Sequence, residues 1–174
     1  MITPATPSSS AALQRLLDAA DTVTHILEAL TGEQLVADVV YQRPATAPPD
    51  DPLGVGAGRP LTERLAVLRG RRSGRAFVRA RSLFSRERLL EPVRLRLARS
   101  TDPIGRILTE QGASVRREPL GPDDGGRGRS VGAVTEAEGQ VVWSRSYLLL
   151  VDDRPTFLVH EDFLDSLLAA DLGR

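Results

Sequence analysis

A chain of 174 residues with 41% hydrophobic and 26% charged residues has the length for one hydrophobic core and the composition of a soluble globular protein. Its 23 basic residues, every one an Arg, cancel its 23 acidic residues, which removes the electrostatic support for a nucleic-acid partner. No Cys and only two His exclude a disulfide framework and leave no metal site to propose, and the lack of a long apolar run or a signal-like start predicts no membrane partner and a cytoplasmic location.

Residues 1–10 are rich in Pro, Ser and Thr and are expected to be disordered, with 11–174 forming a single domain. From Ala11, apolar residues at helical spacing (Leu13, Leu16, Leu17, then Val23, Ile26, Leu27, Leu30) predict an amphipathic arm, bent near Asp21 and stopped by Gly32. His25 belongs to its surface. Leu35–Arg43 reads as a strand. Pro44–Pro60 carries too much Pro and Gly for regular structure and is expected to be a mobile loop of the kind that serves as a lid. Its GVGAG lacks the Lys-Ser/Thr, the leading strand and the following helix of a phosphate loop.

Leu61–Arg69 and Arg75–Phe84 are two strands joined by a Gly-flanked turn. In the first, Arg64 shares a face with Thr62, Ala66 and Leu68, a charge on an otherwise uncharged side. In the second, Ala76, Val78, Ala80 and Ser82 leave room for a packed helix or a ligand. Arg86–Ser100 is helical, restarting at Pro92. Asp102 as N-cap and Pro103 at the first position announce another helix, ended by Gly112. The backbone N–H groups near Ile104 and Gly105 lack helical partners there, so either a ligand carboxylate or Asp102 itself satisfies them.

Gly121–Gln140 is a second long loop. Val141–Leu164 reads as a β-hairpin turning at Asp152-Asp153-Arg154-Pro155. Alternation puts Glu161 on a face with Phe157, Val159 and Phe163, and Arg145 on a face with Trp143, Tyr147 and Leu149. Buried ions demand a partner, so the two form either a structural pair or part of a ligand site. A short helical tail, Asp165–Leu172, closes the chain. The order of elements predicts an α+β fold with an antiparallel sheet and helices packed on it.

Four segments, VVYQR (39–43), TERLAVLRG (62–70), TDPIGRIL (101–108) and SRSYLLLVDDRPTFLVHEDFL (144–164), in this order and spacing, resemble the chorismate pyruvate-lyase family, small cofactor-free bacterial enzymes that make 4-hydroxybenzoate. The resemblance implies a ligand pocket under flap loops, chorismate as the small-molecule substrate, and a monomer or weak homodimer that needs neither metal nor cofactor. By the same resemblance Arg64 and Glu161 are the catalytic pair, Arg64 gripping the product carboxylate and Glu161 facing the ring hydroxyl. Ile104 and Gly105 fall at the helix start that meets the carboxylate, Tyr41 at a main-chain contact, and Arg145 and Arg43 at supporting substrate-binding positions. His160 stands where the family often has Thr and should point away from the pocket. Two other functions fit the same residues: a relative acting on another enol ether or polyene in secondary metabolism, or a non-catalytic effector-binding domain of the same fold.

Overall fold

A computed structural model describes residues 23–121 and 138–171. The expectations for residues 1–10, for the arm before Val23, for most of the second long loop and for the last three residues lie outside the described residues.

The described part begins with α1 (Val23–Thr31), which buries Val23, Thr24 and Leu27 and leaves His25 exposed. Gly32 ends it at φ 70°, its N–H donating to the Glu28 carbonyl at 2.9 Å, a left-handed stop that glycine adopts without steric cost. Three strands follow, β1 (Leu35–Thr46), β2 (Pro60–Gly70) and β3 (Ala76–Phe84). A single 3₁₀ turn, Arg86–Arg88, leads into α2 (Glu91–Arg99) and α3 (Ile104–Glu110). Strands β4 (Val115–Pro119), β5 (Val141–Val151) and β6 (Arg154–Leu164) and the short α4 (Ser166–Asp171) complete it. The six strands form one antiparallel sheet in the order β1-β2-β3-β6-β5-β4. This is the α+β architecture that the element order implies.

Three details differ from the sequence reading. β1 continues through Pro44 to Thr46, which an edge strand permits because the missing N–H can face away from the neighbouring strand. β4 is an added strand, paired to the second half of β5. The β5–β6 turn is only two residues long: Asp152 (φ 50°) and Asp153 (φ 60°) have the paired positive φ of a type I′ hairpin, and Arg154 and Pro155 already belong to β6.

The register stacks side chains into rows across the four central strands. On one face the rows run Thr62, Phe84, Phe157, Leu149; then Arg64, Ser82, Val159, Tyr147; then Ala66, Ala80, Glu161, Arg145; then Leu68, Val78, Phe163, Trp143. Helix α1 closes the last row in a core with Leu27, Phe77, Val78 and Phe163, and Trp143 stacks on Phe163 at 4.5 Å. Helices α2 and α3 close the first row in a second core with Phe84, Val93, Leu97, Ile107 and Phe157. The two middle rows, which carry the charges, lie between these cores.

The opposite face is covered by the loop between β1 and β2. Leu53, 2% exposed, and Ala47 pack against Leu61, Leu148 and Leu150. The Asp51 carboxylate accepts from the N–H groups of Leu53 (3.0 Å), Val55 (2.6 Å) and Gly56 (3.1 Å). Arg88 donates to the carbonyls of Leu53 (2.5 Å), Gly54 (2.9 Å) and Pro155 (2.7 Å). The segment expected to be a mobile lid is therefore a hydrogen-bonded plug, because its Asp and Gly residues build a tight turn and its Leu supplies an anchor.

Candidate functional site

The middle rows form the floor of a cavity lined mostly by apolar side chains, with Arg64 and Glu161 as its charged groups. Its roof comes from the starts of α1 (Val23, Thr24) and α3 (Pro103, Ile104, Gly105). Arg106 ties these helices together, pairing with Glu28 of α1 and donating to the Leu35 carbonyl at 3.2 Å. Four of the residues singled out from the sequence, Arg64, Ile104, Gly105 and Glu161, line this one cavity. Ala66, Ala80 and Ser82 keep its floor low, so the small-residue face of β3 is used for open space here rather than for helix packing.

Arg64 is 2% exposed, and its Nε and Nη2 have no hydrogen-bond partner among the described residues. Burial lowers its pKa to about 10, so it is still a cation at neutral pH. An unpaired buried cation is costly, and an anion entering the cavity would supply the missing partner.

Glu161, 5% exposed, is held from β5. Arg145, directly opposite in the register, donates Nε to Oε2 at 2.8 Å, and the Tyr147 hydroxyl donates to Oε1 at 2.9 Å. The Glu–Arg pair anticipated from the hairpin thus exists, with Arg145 as the partner. Arg145 itself packs among aromatic rings, 5.1 Å from the Tyr147 centroid and 5.3 Å from that of Phe163. Arg145 does not line the cavity; Tyr147 does. Burial, then the neighbouring carboxylate, push the Tyr147 phenol well above its usual range and keep it protonated. Tyr147 carries no role in the sequence reading because a Tyr on an apolar strand face looks like core. The available signal was its place two residues from Arg145, diagonal to Glu161.

At the start of α3 the cap is Pro103, with no side-chain hydrogen bond. Asp102 is drawn away instead: Arg96 donates to it at 2.5 Å and holds its carboxyl below the usual range, with Arg106 at 3.7 Å. The alternative in which Asp102 satisfies the first N–H groups of the helix is therefore not realised.

Tyr41 and Arg43 do not line the cavity. A register shift between Val39 and Tyr41 sets Tyr41 opposite Leu65 and Arg43 opposite Glu63, on the other face of β2 from Arg64. There Arg43 lies over the Tyr41 ring at 4.4 Å and pairs with Glu63 at 2.6 Å, which also pairs with Arg81 at 2.5 Å. His160 is on that face too, bonded to Ser146 (2.8 Å) and Asp162 (3.1 Å), as expected of a residue pointing away from the pocket. Among the described residues no group of three His, Cys, Asp or Glu is placed to hold a metal ion, and no helix is long and apolar enough to cross a membrane.

Residues 18–170 match the model of a family described as Chorismate pyruvate-lyase Rv2949c-like. Curated relatives named chorismate pyruvate-lyase, from Mycobacterium tuberculosis (strain H37Rv) and Mycobacterium bovis, are 34% identical over 101 residues, which is 55% of this chain and 50% of each relative. The chain thus spans about half the length of the curated relatives it matches. Among solved structures it is similar to PhnF from Mycobacterium smegmatis, with 16% identity and a TM-score of 0.53 over 83% of this chain and 64% of that one. The effector domain of PhnF alone gives 17% identity and a TM-score of 0.52, covering 83% and 89%. At these identities the likeness is one of fold.

Proposed function

The chain belongs to the Rv2949c-like chorismate pyruvate-lyase family, and from that membership we propose that it eliminates pyruvate from chorismate to give 4-hydroxybenzoate. The observation that carries the reading is Arg64, a buried cation facing the cavity with two nitrogens unpartnered among the described residues. Glu161 stands on the second strand away and one row along, roughly 12 Å across at ordinary strand geometry, with Ala66, Ala80, Ser82 and Val159 forming the floor between. A six-membered ring with a carboxylate at one end and a hydroxyl at the other, plus a hydrogen bond at each end, fits that span.

The reaction asks little beyond positioning. The C–H bond on the hydroxyl-bearing ring carbon breaks and its electron pair completes the aromatic ring. The ether C–O bond breaks toward oxygen, and the departing enolpyruvate takes up the proton at its methylene carbon to become pyruvate. No electron is gained or lost overall. Arg64 fixes the ring carboxylate through charge-assisted hydrogen bonds, Glu161 meets the ring hydroxyl, and the apolar walls exclude water.

The test is to mix the purified protein with chorismate, without added metal or nucleotide, and to follow 4-hydroxybenzoate and pyruvate together. Equal amounts of both are expected, with kcat/KM reduced about 10- to 10²-fold or more in Arg64→Ala and Glu161→Gln. Neither product from the wild-type protein would rule out chorismate as substrate. The fold shared with the PhnF effector domain favours one second reading, a non-catalytic binder. Its mark would be tight, Arg64-dependent binding of 4-hydroxybenzoate with no turnover of chorismate.

A further inference from the structure

Both oxygens of Glu161 are already engaged by the protein, and both partners are donors. Arg145 Nε, on Oε2 at 2.8 Å, can only donate, and Tyr147, on Oε1 at 2.9 Å, is a neutral phenol whose proton points to the carboxylate. A carboxyl group that accepts at each oxygen is the ionised form, with lone pairs left over to accept again and no proton to give. Among the residues lining the cavity no second acid accompanies Glu161. Arg64 stands on β2, the Arg117 guanidinium of β4 lies 5.2 Å from the Tyr147 ring, and β3, α1 and α3 contribute Ala80, Thr24, Ile104 and Gly105, none of them charged.

We infer that Tyr147 is a positioning residue which, with Arg145, holds Glu161 as a fixed acceptor for the ring hydroxyl of the ligand, so that Glu161 does not protonate the departing ether oxygen. The inference rests on the proposed ring-carboxylate reading of the cavity and adds to it a residue and a direction of hydrogen bonding. The phenol is buried, and its hydroxyl has Glu161 as its partner at the cavity wall. If Glu161 were the acid, Tyr147 would oppose the reaction by favouring the form without the proton.

Tyr147→Phe keeps the ring and removes only the donor, and Glu161→Gln provides the comparison; thermal unfolding first establishes that both variants fold. With chorismate, Tyr147→Phe should lower kcat on the order of 10- to 10²-fold with KM little changed, the scale of one lost hydrogen bond to a charged group. An unchanged kcat, or a gain in rate, would overturn the inference. A binding arm needs no turnover: wild type should prefer 4-hydroxybenzoate to benzoate by about tenfold, and Tyr147→Phe should lose most of that preference while keeping benzoate affinity through Arg64. Retention of the full preference in Tyr147→Phe refutes the positioning role alone, whereas failure of both ligands to bind wild type refutes the reading of the cavity and the inference with it.

Discussion

Arg64 and Arg145 lie on the same face of the sheet, yet the protein treats them differently. Arg145 has a carboxylate at 2.8 Å and aromatic faces around it, while two Arg64 nitrogens are sealed from solvent without a hydrogen bond among the described residues. A base whose folded pKa is depressed weighs against the fold wherever it is charged in both states. For Arg64 that means below about pH 10, so the whole cost is present at neutral pH. Arg64→Met keeps most of the volume and removes the charge, and should stabilise the protein by about 1–4 kcal/mol. On the proposed function 4-hydroxybenzoate should raise the Tm of wild type by binding its native state, and the same variant should lose that rise. A destabilised Arg64→Met that still responds to the ligand would show that Arg64 serves packing instead. Arg64 and Glu161 are legible in the sequence for the same physical reason: strict alternation exposes a charge on a face where it does not belong. Arg43 is not legible in this way, since the register shift beside Tyr41 that sends it to the far face leaves no mark in strand propensity.

Hairpins were the elements easiest to read, because their turn chemistry is local, and the β2–β3 turn shows how exacting that chemistry is. The Glu33 carboxylate accepts from the N–H groups of Arg72 (2.8 Å) and Ser73 (2.9 Å) and from the Ser73 hydroxyl (2.6 Å), and lies against Gly70 to do so. A Cβ on Gly70 would fall 2.3 Å from the carboxylate carbon. Glu33 can swing away, since the clash is with the end of its side chain, but only by giving up those three bonds. Gly70→Ala should therefore lower stability by about 1–2 kcal/mol, read as a lower urea midpoint, and Glu33→Gln, Gly70→Ala should cost little more than the single change. Additive losses would mean that the two residues do not act through this contact. Elements that depend on distant partners were the harder ones. β4 is five residues long and gains its strand identity only by pairing with β5, and Pro44 joins β1 only because that strand is at the sheet edge.

At the scale of the whole molecule the sheet divides its labour by face. One face carries the cavity between two helix-covered cores, and the other is closed by the β1–β2 loop and by ion pairs such as Glu63 with Arg43 and Arg81. Composition alone marks residues 44–60 as loop, but which side of a sheet a loop covers depends on the register of strands far apart in sequence. Placement on the far face separates stability from function in a measurable way. Asp51→Ala removes one acceptor from three backbone N–H groups and loosens the Leu53 anchor, so unfolding should become easier by about 1–3 kcal/mol. Because no residue of this loop lines the cavity, KM for chorismate and the affinity for 4-hydroxybenzoate should stay within about twofold of wild type at a temperature where the variant is folded. A tenfold loss of affinity in stably folded Asp51→Ala would mean that the far face is coupled to the cavity through the sheet, most directly along β5, where Leu148 and Leu150 under the loop alternate with Tyr147 and Leu149 at the cavity.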